Sequence, residues 1–394
     1  MAGIKISQVW KLPFYGYALF VILKDWNFFS RNLKLVLLLG FLTGTKLLLN
    51  VNFYQGFMIS LAEFFYTISL PLIILYFYRT YFSAPEKLRL LITYFSIFLI
   101  VSNIPFVTGI LTQRNNVVEL DRFGLENSSA LNGLFHHVSS TSKILVVSVL
   151  FLLANLAYTK KRFYYLLYVG VLVFGAYAIY LSYTRTGWLL LFLGVLMMVF
   201  YKTSIKRFFR YIPTVVFGLL VVAFLFRNNE TILLRLKGGT TYRQNEEIDA
   251  NVLTSYRLDI YVNALINLNN DGKAAIVLGQ GRQRAQQLMG QIYGTDFVAH
   301  NRLIELLQYG GELSLLLFLL YVWRLWLIVK ELSSRVHDFM SKLPFALFGL
   351  YVLSLLPSHG FPLWSDLIFG GVIAYNLIKN HTSEQSELIT EQVN

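Results

Sequence analysis

Long apolar runs recur along this chain, and they constrain its fold more than any other feature. Stretches with almost no charge follow one another over most of the sequence, and runs of about 18 to 25 residues are what helices need to cross a bilayer. Hydrophobic residues make up 56% of the chain and charged residues 14%, a charged share well below that of a soluble domain. The sequence therefore excludes a water-soluble enzyme and predicts an all-α polytopic membrane protein.

We predict about 10–12 transmembrane helices from these runs. The predicted spans lie near 33–49, 56–78, 88–111, 138–158, 163–183, 186–201, 211–226, 303–329, 343–357 and 361–379. A further stretch at 10–23 is short and contains a proline, and the sequence leaves open whether it spans the membrane or lies on its surface. The predicted organisation is N-terminal transmembrane helices at 1–226, a large loop at 227–302, C-terminal transmembrane helices at 303–379, and a disordered cytoplasmic tail at 380–394.

Basic residues cluster in the short connectors between predicted spans. These connectors lie at 79–89, 160–162, 202–210 and 330–342, and the positive-inside bias makes them cytoplasmic. The net charge of +13 therefore reflects basic residues that orient the spans in the membrane. Nucleic acid is not an expected partner. The connectors at 112–137 and 227–302 face the other way, and the second is too long to be a simple turn. We expect it to form one large extracytoplasmic loop with amphipathic helices.

Neither thiol chemistry nor a metal centre is indicated. The chain contains no cysteine, which excludes disulfides, thiol nucleophiles and cysteine-bound zinc. It also lacks Asp-x-Asp and His-Glu-x-x-His patterns. The adjacent histidines His136 and His137 have no carboxylate partner nearby in the sequence, which makes them poor metal ligands. We predict no metal and no cofactor.

A single charge interrupts the longest apolar stretch. Within residues 163–201 the only charged residue is Arg185, and a continuous helix over this range would be roughly 58 Å long, far more than a bilayer's hydrocarbon core. We therefore predict a turn in SYTRTGW, residues 182–188, where Gly187 relaxes the backbone. This turn puts Arg185 at the external end of two spans. Both a snorkelling arginine that caps the helix ends and an anion-binding arginine fit that position.

A second candidate arginine lies in the long loop. In residues 251–270 a helical projection puts Ile260, Ala264 and Leu268 on one apolar face, and Arg257 falls within that stripe. An arginine on a docking face requires a fixed partner. The pattern allows either a bound anion or an internal salt bridge.

The third candidate is His300, which precedes the predicted span in AHNRLIELLQYGG. A histidine before a helix can be a cap or interface residue, and it can also be a base near neutral pH. The predicted topology brings Arg185, Arg257 and His300 to the same leaflet. Additional predicted substrate contacts are Asn301, Arg282, Arg284, Arg302 and His136.

Two guanidinium groups and an imidazole supply what a glycosyl transfer requires. Guanidinium forks suit phosphate, so Arg185 and Arg257 would hold a pyrophosphate and stabilise the charge that grows on it as it leaves. His300 would accept the proton of the attacking hydroxyl. Direct attack on the anomeric carbon of a polyprenyl-linked sugar would invert that carbon.

These residues resemble the O-antigen polymerase and O-antigen ligase superfamily of bacterial membrane glycosyltransferases. The resemblance covers roughly residues 122–321 and is carried, in order, by SYTRTGW, TSYRLDIYVNAL, the GQG turn at 279–281 and AHNRLIELLQYGG. It implies a GT-C-like helical fold in the bacterial inner membrane, with the active site on the periplasmic face. In this resemblance Arg185 and Arg257 match the family's substrate-binding arginines, and His300 matches its base.

The resemblance further implies metal-independent, inverting transfer of a glycan from an undecaprenyl-pyrophosphate-linked oligosaccharide to a glycan acceptor. We favour a polymerase, which extends a lipid-linked acceptor, because the loop shows no obvious element for binding a lipid A core. A chain-length regulator is a further candidate partner beside the lipid bilayer. Two alternatives stay open: an O-antigen ligase that acts on lipid A core, and a flippase or exporter of the lipid-linked oligosaccharide, which would need no base at His300.

Overall fold

The computed structural model describes residues 11–50, 57–111, 131–135, 138–202, 227, 257–293, 299–334, 338–356 and 360–393. These residues form helices joined by turns, and the described ranges contain no β-strand. The all-α prediction is therefore confirmed for this part of the chain. The predicted span at 211–226 lies outside it.

The helices are numbered here in chain order. They are α1 (Lys11–Lys24), α2 (Arg31–Leu49), α3 (Phe57–Thr80), α4 (Pro85–Val101), α5 (Ile104–Val107), α6 (Val138–Asn155), α7 (Arg162–Leu181), α8 (Arg185–Phe200), α9 (Arg257–Asn270), α10 (Lys273–Leu278), α11 (Arg282–Tyr293), α12 (Arg302–Ser334), α13 (Phe339–Leu355) and α14 (Leu363–Val393). Helix α12 is kinked at Gly311, whose backbone is not helical.

Six segments of the described chain are long and apolar enough to cross a membrane. They are Arg31–Leu49, Ser60–Thr80, Pro85–Val107, Val138–Tyr158, Arg162–Leu181 and Arg302–Ser333. Shorter apolar helices occupy Pro13–Lys24, Arg185–Phe200 and Phe339–Leu355. The protein is thus of the helical membrane type, while the predicted total of ten to twelve spans stays a prediction.

The chain divides into two compact units, each built from segments far apart in sequence. The first comprises Met1–Ile92, Ile260–His337 and Ser354–Asn394, and the second comprises Thr93–Asp259 and Asp338–Leu353. A division of the sequence into spans and loops does not reveal this arrangement, because it follows contacts between distant segments.

Helix α3 lies at the centre of the first unit, where it packs against α1, α2 and α14. Its residues Leu72 to Leu75 are almost completely buried on every side, as expected of a helix that is apolar all round. Gly40 and Gly44 on α2 allow the close approach: a Cβ on Gly44 would lie 2.8 Å from the Phe64 ring on α3. Small residues four apart are a common device for packing membrane helices.

Helix α6 has the same central role in the second unit, where it packs against α7 and α8. The run from Ile144 to Leu152 is buried. Gly175 of α7 faces this helix so closely that a Cβ there would lie 2.7 Å from Val149. Helix α6 is therefore the scaffold on which the turn between α7 and α8 rests.

The structure corrects the prediction for the C-terminal tail and answers part of the question about the stretch at 10–23. We expected a disordered tail after Lys379, but α14 continues without a break to Val393, because a helix already formed needs only one hydrogen bond per added residue. Residues 11–23 of the short stretch lie in α1, which packs on α3. Ala18 and Ile22 of α1 are buried.

Candidate functional site

Arg185 is the first residue of α8, directly after a tight turn. Helix α7 ends at Leu181, and the Ser182 hydroxyl donates to the Ile179 carbonyl at 2.6 Å. Tyr183 then adopts a left-handed backbone with φ of 49°, and the Trp188 indole Nε1 donates back to the Ile179 carbonyl at 3.2 Å. The helix break predicted in SYTRTGW is confirmed.

Gly187 has a different role from the one that we predicted. It lies within α8 and is buried, and it is Tyr183 that takes the left-handed conformation. A Cβ on Gly187 would lie 2.7 Å from the Ser142 Cβ of α6 and 2.6 Å from Thr184 Oγ1. Gly187 therefore permits close packing of the first turn of α8 on α6. This packing determines where Arg185, the first residue of α8, lies relative to α6.

Arg257 and Arg185 belong to the same unit, and their charges interact. Arg257 is the first described residue of α9. Its positive charge acts on Arg185 and also on Lys143, which is 3% exposed on α6. Lys143 follows Ser142, the residue that meets Gly187. The structure therefore places three interacting basic side chains on α6, α8 and α9.

The described part of the second unit has two acidic residues, Asp259 and Asp338. Asp338 accepts a hydrogen bond from the Tyr158 hydroxyl at 2.7 Å and caps the backbone N–H of Ser341. Asp259 is two residues from Arg257, a spacing at which helical side chains do not face each other. The arrangement is chemically suited to an anion with several oxygens.

His300 belongs to the first unit and lies directly before α12. Its backbone is left-handed with φ of 51°. Ala299 is buried in a core with Ile260, Ala264 and Met289. On the other side, Asn301 Oδ1 accepts hydrogen bonds from the backbone N–H groups of Leu303 and Ile304. Asn301, a predicted substrate contact, is thus the cap of α12.

The apolar stripe predicted for the loop helix is present in α9. Ile260, Ala264 and Leu268 are its buried residues. The Tyr261 hydroxyl donates to the Leu356 carbonyl at 3.0 Å. Ala299 packs on this stripe, so the segment that carries His300 is anchored to the loop helix.

The other predicted arginines are engaged in ion pairs. Arg282 and Arg302 both bind the carboxylate of Glu63, at 2.6 Å and 2.5 Å, and Arg302 is only 1% exposed. Arg284 binds Asp271 at 2.9 Å near the surface, and its hydrogen bond lowers the pKa of the Asp271 carboxyl. In this structure the three arginines form ion pairs with Glu63 and Asp271. We had predicted substrate contacts for them instead. His136 lies outside the described residues.

The GQG turn at 279–281 packs against the backbone of α12. Gly279 and Gly281 have φ of 87° and 77°, and a Cβ on Gly279 would lie 2.5 Å from the Tyr309 carbonyl oxygen of α12. The backbone N–H groups of Gln280 and Gly281 donate to the carbonyls of Gln308 and Tyr309. These carbonyls directly precede the kink at Gly311, so the turn satisfies backbone acceptors of the kinked helix.

Two functional candidates were missed in the sequence. Glu63 and Lys143 are single charges inside the predicted spans 56–78 and 138–158. An ionisable residue inside a span is by default a candidate for function, because its burial is costly. The sequence shows a single charge inside both spans, but it does not show which residue interacts with that charge.

Comparison with known proteins adds no family. A scan against protein-family models finds no match, and a search of curated proteins finds no similar sequence. Function must therefore be argued from the residues themselves.

Proposed function

We propose that this chain is a membrane glycosyltransferase that polymerises oligosaccharide repeat units. It would transfer the glycan from an undecaprenyl-pyrophosphate donor to a sugar hydroxyl of a lipid-linked acceptor, without a metal and with inversion. The proposal joins the ordered motifs of the sequence to the cluster of Lys143, Arg185 and Arg257. The observation that carries it is the close contact between Ser142 of α6 and Gly187 in the first turn of α8, which packs the turn that Arg185 begins against the helix that carries Lys143.

The proposed step assigns a role to each group. The acceptor oxygen attacks the anomeric carbon and gives its proton to an imidazole nitrogen of His300. The bond between the anomeric carbon and the pyrophosphate oxygen breaks, and the bonding electrons leave with the lipid pyrophosphate. Arg185 and Arg257 stabilise the resulting negative charge, and Lys143 adds a third cation. Attack from the face opposite the leaving group inverts the carbon.

The left-handed backbones at Tyr183 and His300 also support the proposal. Such conformations are disfavoured for residues with a Cβ, and they occur preferentially at functional sites. Both lie in the motifs that carry the family resemblance, SYTRTGW and AHNRLIELLQYGG.

The decisive experiment is incubation of purified protein with a lipid-linked repeat unit, with and without lipid A core, followed by product sizing. A polymerase gives longer lipid-linked glycans without the core, whereas a ligase gives product only when the core is present. His300→Ala should abolish product while protein level stays normal. His381→Ala is the matched control, because His381 makes an edge-to-face ring contact with Phe82.

Undiminished product from His300→Ala would refute the assignment of the base. Transport of the donor by the unaltered protein with no glycan product would favour a flippase or exporter. Arg185→Lys should lose most activity, because lysine cannot present a planar fork to phosphate. Arg89→Lys, at an arginine that pairs with Glu86, is its control. Turnover should persist in EDTA, and strict dependence on Mg²⁺ would contradict the metal-free mechanism.

A further inference from the structure

A single carboxylate joins two arginines from distant parts of the first unit. Glu63 of α3 accepts from Arg282 Nη1 of α11 through Oε1 at 2.6 Å and from Arg302 Nη1 of α12 through Oε2 at 2.5 Å. Each oxygen thus serves a different arginine. We call this arrangement of Glu63, Arg282 and Arg302 the Glu63 clamp.

The inner arm of the clamp is deeply buried. Arg302 Nη2 also donates to Thr67 Oγ1 at 3.1 Å, and its guanidinium lies 5.2 Å from the centre of the Tyr66 ring. Thr67 and Tyr66 belong to the same helix as Glu63. Arg302 is therefore fixed to α3 by three neighbouring side chains. Charge-assisted hydrogen bonds of this kind are strong and directional when water is excluded.

The inner arm lies two residues after His300. The backbone of His300 is left-handed, a conformation that persists only where the surroundings determine it. Ala299 is packed in the core on one side, and Asn301 caps α12 on the other. Arg302 is the next residue along, and it is the one that ties this segment to α3.

We propose that Glu63 is a positioning residue that fixes the backbone of His300 through Arg302. The inference rests on the proposed function, in which His300 is the base. Glu63 does not touch the substrate in this proposal. It binds Arg302, which fixes the start of α12. Arg282 links the same carboxylate to α11. The clamp thereby sets the orientation of the His300 imidazole from both the membrane helix and the loop.

The absence of cysteine from the chain permits a direct test. His300→Cys makes position 300 the single thiol, and its maleimide labelling rate can be measured on the full chain in native membranes. Adding Glu63→Gln should accelerate labelling by on the order of tenfold, because the buried Arg302 guanidinium then loses its carboxylate partner, which favours displacement of the segment. The matched control is Asp271→Asn, which neutralises a carboxylate whose hydrogen-bond partners are Arg284 and Gln280. It should change the rate by less than about twofold.

Equal labelling rates with and without Glu63→Gln would overturn the proposal. If Glu63→Gln fails to accumulate, Arg282→Gln takes its place, because it removes only the outer and more exposed arm. This variant should accelerate labelling as well, and an unchanged rate there would also overturn the proposal.

Kinetics on the protein with His300 intact provide the second readout. Glu63→Gln should lower kcat about tenfold and leave the KM for the lipid-linked donor within about twofold, and Glu63→Asp should recover part of the loss. A rise in KM with unchanged kcat would overturn the proposal, because it would mean that Glu63 acts on donor binding. Failure of the proposed function is distinguishable, since it would appear as full activity in His300→Ala and would leave the labelling result unaffected.

Discussion

The substitution Gly187→Ala tests whether close packing of α8 on α6 sets the position of Arg185. The added Cβ would lie 2.7 Å from the Ser142 Cβ and 2.6 Å from Thr184 Oγ1. Both separations are far shorter than carbon and oxygen atoms tolerate, so the first turn of α8 must move away from α6. Because Arg185 begins that turn and Lys143 follows Ser142, the cation cluster should spread.

The magnitude follows from two opposing effects. Overpacking of a close interface costs about 1–3 kcal/mol, whereas replacing glycine by alanine inside a helix contributes about 1 kcal/mol of stability. Gly170 on α7 provides the matched control, because a Cβ there meets nothing within 4 Å. Gly170→Ala should therefore show only the gain. The difference between the two variants in free energy of unfolding, about 1–3 kcal/mol, isolates the clash. The kcat/KM of Gly187→Ala should fall below that of Gly170→Ala, because only Gly187→Ala displaces the turn that Arg185 begins.

The assay is glycan polymerisation at limiting donor, combined with thermal unfolding in detergent. Adding Ser142→Gly to Gly187→Ala should restore most of the activity, because it removes the atoms that the new Cβ meets on α6. Equal activity of the Gly187→Ala and Gly170→Ala proteins would refute the packing argument. So would a double variant that is no more active than Gly187→Ala alone.

Three further predictions follow from particular contacts. Lys143→Met should raise the donor KM at least about tenfold, whereas Lys143→Arg should keep most of the affinity for the donor. If donor titrations give the same KM for Lys143→Met as for the unaltered protein, Lys143 is not part of the anion site. Gly279→Ala should lower the unfolding temperature more than Gly272→Ala, because both glycines have positive φ but only Gly279 meets the backbone of α12; equal losses would contradict the docking of the turn. Because the Arg284 hydrogen bond lowers the pKa of Asp271, the ion pair contributes stability above the ordinary carboxyl pKa of about 4 and loses it as pH falls through the lowered value. Asp271→Asn should therefore lower the unfolding temperature at pH 7 and lower it less as the pH falls below about 4; an equal effect at both pH values would contradict the sign.

Local patterns predicted the helices well. The apolar spans correspond to helices wherever the chain is described, and the break in SYTRTGW falls between Leu181 and Arg185. The stripe of Ile260, Ala264 and Leu268 is the buried face of α9. These features depend on helical periodicity and on the length of an apolar run, which are both written in neighbouring residues.

The candidate site was only partly accessible in this way. Arg185 and Arg257 are charges in apolar surroundings, and that feature singled them out. Lys143 shows the same signal, but the sequence does not show that Arg257, more than a hundred residues away, acts on it electrostatically. Arg282 and Arg302 looked like substrate contacts, because a sequence shows an arginine without showing the carboxylate that neutralises it.

The sequence by itself determined that this chain folds into apolar helices, where one of them must break, and which loop helix has a buried face. Only the tertiary structure decided that Glu63 binds arginines 219 and 239 residues away, that Gly187 serves packing, and that the GQG turn docks on a kinked helix. The physical reason is the separation along the chain between the residues that interact. Helix formation depends on hydrogen bonds four residues apart and on solvent preference, whereas ion pairs and close helix crossings depend on which distant segments share a neighbourhood.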